Sequence, residues 1–133
     1  MLIHGDRLLA CLRDDIDSIP FPGHWDLPGG GAEPGETPVA CALRELDEEF
    51  GLRLSPERLR GWCFPVWNDA SRRSWMFQGA ITAAEIAAIR FGDEGQGWRM
   101  MPVAEFTSHP RAVPHFQQRV QLILAEIRPE VCE

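Results

Sequence analysis

The sequence predicts a single α/β layered domain, and three features of it carry that expectation. Short apolar segments of strand type alternate loosely with amphipathic segments of helical period. No repeat, low-complexity tract or linker divides the 133 residues, so one domain spans 1–133. Apolar residues at 44% and charged residues at 25% are the balance of a chain that packs a core, at a length that can bury one without staples.

Met1 to Ile3 and Leu8 to Leu12 read as two short strands around a Gly5-Asp6 turn. Asp14 to Gly23 is polar and then proline-bearing, a loop. Trp25 to Glu36 holds four glycines and two prolines, too many for a regular element, and is expected as irregular loop. A helix follows over Thr37 to Phe50. Thr37 is a good N-cap, Pro38 suits the first helical position, and Gly51 stands where a left-handed C-cap belongs. Val39, Leu43, Leu46 and Phe50 recur at helical spacing and should face the core. Trp62 to Trp67 and Trp75 to Ile81 read as strands joined by a polar turn, Asn68 to Arg73. Ala83 to Ile89 reads as a short helical turn and Trp98 to Met101 as a further strand. Phe116, Val120, Ile123 and Ile127 define an amphipathic C-terminal helix.

Charge narrows the partners. Twenty acids against thirteen bases, all arginine, give −7, a poor balance for binding polymeric nucleic acid or an anionic membrane. An anionic small molecule stays open, because metal ions reverse the sign of a site. The longest apolar run, Leu8 to Leu12, is too short for a membrane span or a signal-peptide core. Cys11, Cys41, Cys63 and Cys132 form no Cys-x-x-Cys pair, so reduced thiols and a cytoplasmic location are expected. His4, His24, His109 and His115 show no metal-ligand spacing.

One helix breaks a local rule. Glu45, Glu48 and Glu49 stand at i, i+3 and i+4, so their carboxylates share a face, and the last two fall where the helix dipole disfavours negative charge by roughly 0.3–1 kcal/mol each. Repulsion among them adds a few tenths of a kcal/mol per pair. A solvated acidic face is the alternative, and for an isolated Glu-rich helix the commoner one. Beside a glycine-rich loop, three carboxylates on one rigid face suit a hard divalent cation that keeps water and phosphate oxygens as its other ligands.

The full segment reads Gly30-x5-Glu36-x7-Arg44-Glu45-Leu46-x-Glu48-Glu49-x-Gly51-Leu52. It resembles the Nudix box, G-x5-E-x7-R-E-U-x-E-E-x-G-U with U aliphatic, at every position. At roughly 6% usage per letter, seven fixed letters match by chance in such a chain with odds on the order of 10⁻⁷. Trp25-Asp26-Leu27-Pro28-Gly29-Gly30 looks like the usual approach to that box. The resemblance implies an α/β/α sandwich with a mixed sheet and an enzyme that hydrolyses a nucleoside diphosphate linked to some group X. It implies Glu45, Glu48 and Glu49 as metal ligands with the Gly29 carbonyl, and Glu36 with Arg44 as a structural ion pair. Mg²⁺ is the implied cofactor, with Mn²⁺ as substitute. Glu48 or Glu49 would bind or activate water, and Glu94, in the loop Gly92 to Gln96, would act as a further ligand or base.

Markers of X are mostly absent. No Ser-Gln-Pro-Trp run follows the box, Phe21-Pro22-Gly23 is too little for a coenzyme A motif, and the chain has no tyrosine. Pro65, fourteen residues past Gly51, lies near but not at the proline of ADP-ribose hydrolases. A MutT-like enzyme acting on a nucleoside triphosphate, damaged or not, is the first expectation. ADP-ribose or nucleotide-sugar hydrolysis is second, and a non-catalytic nucleotide-binding or sensing domain a remote third. Trp67, Phe21 or Trp25 would stack a base, and Arg13, Arg72 and Arg73 would meet phosphates. Gln117 and Gln118 are candidates to read a base edge. The first strand is short for the family, expected as either a stubby strand or a late start. A monomer or homodimer is expected.

Overall fold

The computed structural model describes residues 1–130 of the chain. Its elements are β1 (Leu2–His4), β2 (Arg7–Leu12), β3 (Trp25–Asp26), α1 (Pro38–Phe50), β4 (Arg60–Val66), β5 (Asp69–Ala80), α2 (Ala83–Ala87), β6 (Gly97–Pro102), α3 (Val103–Ser108) and α4 (Pro114–Leu124), with a 3₁₀ turn at Pro56–Arg58. The six strands form one mixed sheet, ordered β3-β2-β1-β5-β4 with β6 beside β2. Only the β1–β5 pair is parallel. One edge of β2 is shared: Arg7 and Leu8 pair with β1, then Cys11 and Leu12 pair with β3, while β6 runs along the opposite edge.

The alternation along β2 divides the core. Leu8 and Ala10 join Trp62, Phe64, Phe106, Val120 and Ile123 on one side, and Leu9 joins Leu46, Phe50, Leu52 and Ile81 on the other. Helices α3 and α4 cover the first layer and α1 and α2 the second, which makes an α/β/α sandwich. Helix α1 is bounded as its sequence predicts: the Thr37 hydroxyl accepts from the Ala40 N–H, Pro38 opens the helix, and Gly51 takes φ 64°.

Four elements differ from expectation. The segment Trp25 to Glu36 is loop except at β3, where two residues find partners in both β2 and the Ala112 region. The turn placed at Asn68 to Arg73 shrinks to Trp67-Asn68, with β5 starting at Asp69 and the ladder slipping between Pro65 and Val66. That end of the hairpin is exposed from Trp67 to Arg73, so no apolar alternation marked it. Helix α3 buries only Phe106, a single residue with no period to read. Helix α4 stops at Leu124, leaving Ile127 outside it and 56% exposed. Cys11 and Cys41 are free thiols, whereas Cys63 is disulfide-bonded, against the expectation of reduced cysteines; Cys132 lies outside the described residues. No helix among the described residues is long and apolar enough to cross a membrane.

Candidate functional site

The acidic corner is built where the Gly29–Glu36 loop folds over α1. Arg44 is its hub. Its Nε donates to Glu36 Oε2 at 2.7 Å and its Nη2 to Glu36 Oε1 at 3.0 Å, a two-pronged ion pair that ties loop to helix. Nη2 also donates to the Gly31 carbonyl at 3.0 Å, and Nη1 reaches Glu45 at 3.0 Å and Glu48 at 3.1 Å. These bonds hold the Glu36 carboxyl down at about 2 and raise the Arg44 guanidinium above its already high range.

Glu49 takes a different position on the same face. Its Oε2 accepts from the Gly29 N–H at 3.2 Å. Burial pushes its carboxyl up to about 7, with Glu45, Asp26 and Glu94 adding repulsion and the Gly29 bond working against the rise. Glu45 is pressed beneath Gly30 so closely that a Cβ there would lie 2.5 Å from the Glu45 carboxyl carbon. Gly30 is therefore a cradle for a carboxylate, and only the missing side chain makes room.

Glu94 comes to this corner through backbone bonds. The N–H groups of Arg90 and Gly92 donate to the last α1 carbonyls, Phe50 and Glu49, both at 2.8 Å. A Cβ on Gly92 would stand 2.8 Å from the Glu48 carbonyl oxygen, so this glycine permits the close approach. The loop thus delivers Glu94 into a hollow of about 360 Å³ shared with Glu49, Asp26, Asp14, Gly29 and Arg13. Among the described residues, no three side chains are already gathered as a chelating cluster. The reason is geometric: Arg44 holds Glu45 and Glu48, while Glu49 is turned to Gly29. The donor set still fits a hard cation. It is all oxygen, it is crowded with like charge, and it raises the cost of the Glu49 carboxylate.

A larger cleft, about 670 Å³, adjoins that hollow, and Arg13, Asp26, Leu27 and Gly29 line both. Part of its wall is aromatic. Trp67, at the hairpin tip, stacks on His115 with centroids 5.3 Å apart and planes 4° from parallel, and Phe21 meets Trp67 edge-on at 5.2 Å. Arg72 and Arg73 line the cleft as well. Arg13 is engaged: it donates to Asp26 at 2.9 Å and to the Pro20 carbonyl at 3.0 Å. Gln117 is engaged too, donating to the Phe106 and His109 carbonyls at the α3–α4 junction, and Gln118 is exposed. Trp25 lies under the Arg99 guanidinium rather than on the cleft wall.

Two residues of the cleft had no expected role. His115 supplies the stack; burial first, then Arg119 and Arg13, lower its pKa to about 4, so it is neutral at pH 7. Arg119 is buried in the cleft wall at 6% exposure. The signal for it was in the sequence: it sits three residues after Phe116 and one before Val120, a charge on the apolar stripe of α4.

Fold and site define a small α/β/α domain with an acidic loop-helix corner opening toward an aromatic cleft. A family model, the NUDIX domain, matches residues 2–121, and the chain belongs to the Nudix family. Over 61 residues it is 50% identical to the nucleoside triphosphatase NudI of Enterobacter sp. (strain 638), covering 46% of this chain and 42% of that protein. It is 37% identical over 82 residues to diphosphoinositol polyphosphate phosphohydrolase 3-alpha of Mus musculus, covering 55% and 49%. The chain thus matches less than half the length of these curated relatives. Among solved structures it resembles the MutT protein of Methanosarcina mazei Go1 with a TM-score of 0.71 at 20% identity, over 90% of this chain and 84% of that one. A bifunctional NMN adenylyltransferase/ADP ribose pyrophosphatase of Francisella tularensis, complexed with AMP and Mn, superposes with a TM-score of 0.70 at 20% identity, over 95% and 39%. These two likenesses speak for the fold.

Proposed function

We propose that this chain is a Mg²⁺-dependent pyrophosphohydrolase that cleaves the phosphoanhydride of a nucleoside diphosphate linked to X, with a nucleoside triphosphate as its first substrate class. The observation that carries this reading is the shared wall: Asp26, Leu27 and Gly29 line both the acidic hollow and the aromatic cleft. A molecule carrying both anionic phosphates and a planar ring matches the pair in chemistry once a divalent cation occupies the acidic hollow. Glu45, Glu48 and Glu49, with the Gly29 carbonyl, would hold Mg²⁺ or Mn²⁺. The cation would neutralise phosphate charge as it develops and lower the cost of forming hydroxide. Glu48 and Glu49 orient the attacking water and take its proton, and Glu94 faces the same hollow as a second acceptor. Trp67 supplies a stacking face, and Arg72 and Arg73 supply positive charge beside it. Arg44 and Glu36 fix the loop on the helix so that these groups keep their places.

A cleft of about 670 Å³ also has room for a second sugar, which favours ADP-ribose or a nucleotide sugar as the alternative. Similar proteins carry either chemistry in their names, nucleoside triphosphatase for one and ADP ribose pyrophosphatase for the other. The deciding experiment is a panel of triphosphates, ADP-ribose, nucleotide sugars and dinucleotides with Mg²⁺. A triphosphate turned over best supports the first reading, and a ribosylated diphosphate far ahead of every triphosphate replaces it with the second. No turnover of any member would sink the enzyme and leave a nucleotide-binding domain. Glu48→Gln and Glu49→Gln should each lose most of the turnover while remaining folded.

A further inference from the structure

Among the described residues, Arg119 is a buried charge without a counter-charge. Its Nη2 donates to the Pro65 carbonyl at 2.9 Å and its Nη1 to the Ser74 hydroxyl at 3.3 Å. No carboxylate of the described residues lies within ion-pair distance of it. The guanidinium is packed between the rings of Phe64 and Phe116, 5.1 and 5.7 Å from their centroids. Two of its five N–H groups meet these protein acceptors, and it lines the cleft in company with Trp67, Phe21 and His115. An arginine desolvated in this way is costly unless something else accepts its remaining hydrogens.

We propose that Arg119 is the edge-reading residue of a ring-binding subsite, selecting nucleobases that present two adjacent acceptors to its donors. This rests on the nucleotide reading of the cleft. A guanidinium only donates, so it pairs with guanine through O6 and N7, or with cytosine through O2 and N3. Adenine sets its N6 amino donor beside every acceptor it could offer on the same edge and is rejected. Stacking on Trp67 is blind to this difference, since every base has a π-face. Selectivity therefore comes from Arg119, and affinity common to all bases from Trp67. Stacked on Trp67, His115 keeps that indole oriented.

Equilibrium titration of the metal-free protein with GMP, CMP and AMP tests this without turnover. GMP and CMP should bind about 10-fold or more tighter than AMP. Arg119→Met should bring both down to the AMP level and leave AMP within about 2-fold. Arg119→Lys keeps the charge but not the fork, and should lose most of the preference; it decides the matter if the methionine variant fails to fold. Trp67→Ala should weaken all three nucleotides alike. Equal binding of the three, no detectable binding of any, or a preference that survives Arg119→Lys overturns the proposal. Triphosphate hydrolysis with no base preference would overturn the edge reader alone. A base preference erased by the Arg119 variants, in a protein that hydrolyses nothing on the panel, would overturn the hydrolase reading alone.

Discussion

Replacing Gly30 with alanine tests the acidic corner with a single methyl group. The new Cβ would lie 2.5 Å from the Glu45 carboxyl carbon and 2.6 and 2.7 Å from its oxygens. Ordinary contact needs about 3.4 Å or more, so the carboxylate must retreat by about 1 Å. It is the free end of a flexible side chain, and the backbone at Gly30 has no left-handed φ, so the retreat needs no main-chain shift. The expected loss of stability is therefore about 1 kcal/mol or less, the worth of a weakened Arg44–Glu45 bond. A ligand displaced by about 1 Å should nonetheless reduce Mg²⁺-dependent hydrolysis on the order of 10²-fold. Gly31→Ala is the control, because its Cβ would meet nothing within 4 Å. Thermal melts give the stability change, and initial rates over a Mg²⁺ series give the functional one. Wild-type rates in Gly30→Ala would refute the placement of Glu45 as a ligand. A loss exceeding about 3 kcal/mol would show instead that the loop backbone yields, not the side chain.

Other expectations concern stability. Glu85 closes a capping box with Thr82 and a two-pronged pair with Arg58, which together hold its carboxyl at about 2. A depressed carboxyl stabilises the fold above its ordinary value near 4.5 and loses that contribution as pH falls toward 2. Since the pair is partly open to solvent, Glu85→Gln should cost about 0.5–1 kcal/mol at pH 7, a difference that shrinks by pH 2 in urea titrations. Gly51→Ala should cost about 1 kcal/mol, because Gly51 sits at φ 64° and its Cβ would press on Arg90 at 3.3 Å. Phe50→Ala, at a fully buried position, should cost about 3–5 kcal/mol by chemical denaturation.

What could be read from the sequence was whatever the chain encodes locally. Helix α1 was legible to the residue because its caps, its apolar period and its carboxylate face lie within one stretch of sequence, Thr37 to Gly51. The Glu36–Arg44 tie was legible for the same reason: its partners are eight residues apart. The polar half of the β4–β5 hairpin was not, because a ribbon exposed on both faces has no alternation to display. Nor was the fate of Arg13 or Gln117. Arg13 was expected at phosphates, and the fold brings Asp26 beside it; Gln117 was expected at a base edge, and α3 ends against it. Arg119 stood in plain view on the apolar stripe of α4, but the carbonyl and hydroxyl that hold it come from strands 54 and 45 residues earlier, respectively.

The division of the site between near and distant sequence has a consequence for how such a protein diverges. The corner proposed to carry the chemistry comes from one short stretch plus a loop bonded directly to its helix end, so a duplicated gene would keep or lose it nearly as a block. The walls proposed to meet the ring come from the segment before β3, from a hairpin tip with no core face, and from one side of the last helix. Exchanging Trp67 or lengthening the turn behind it disturbs no buried layer, and Arg72 and Arg73 stand in solvent. New preferences can therefore be tried at the rim, one residue at a time, without renegotiating the reaction. Within the wall, Arg119 is the exception: its burial among Phe64 and Phe116 makes it the slowest part of the proposed recognition surface to change.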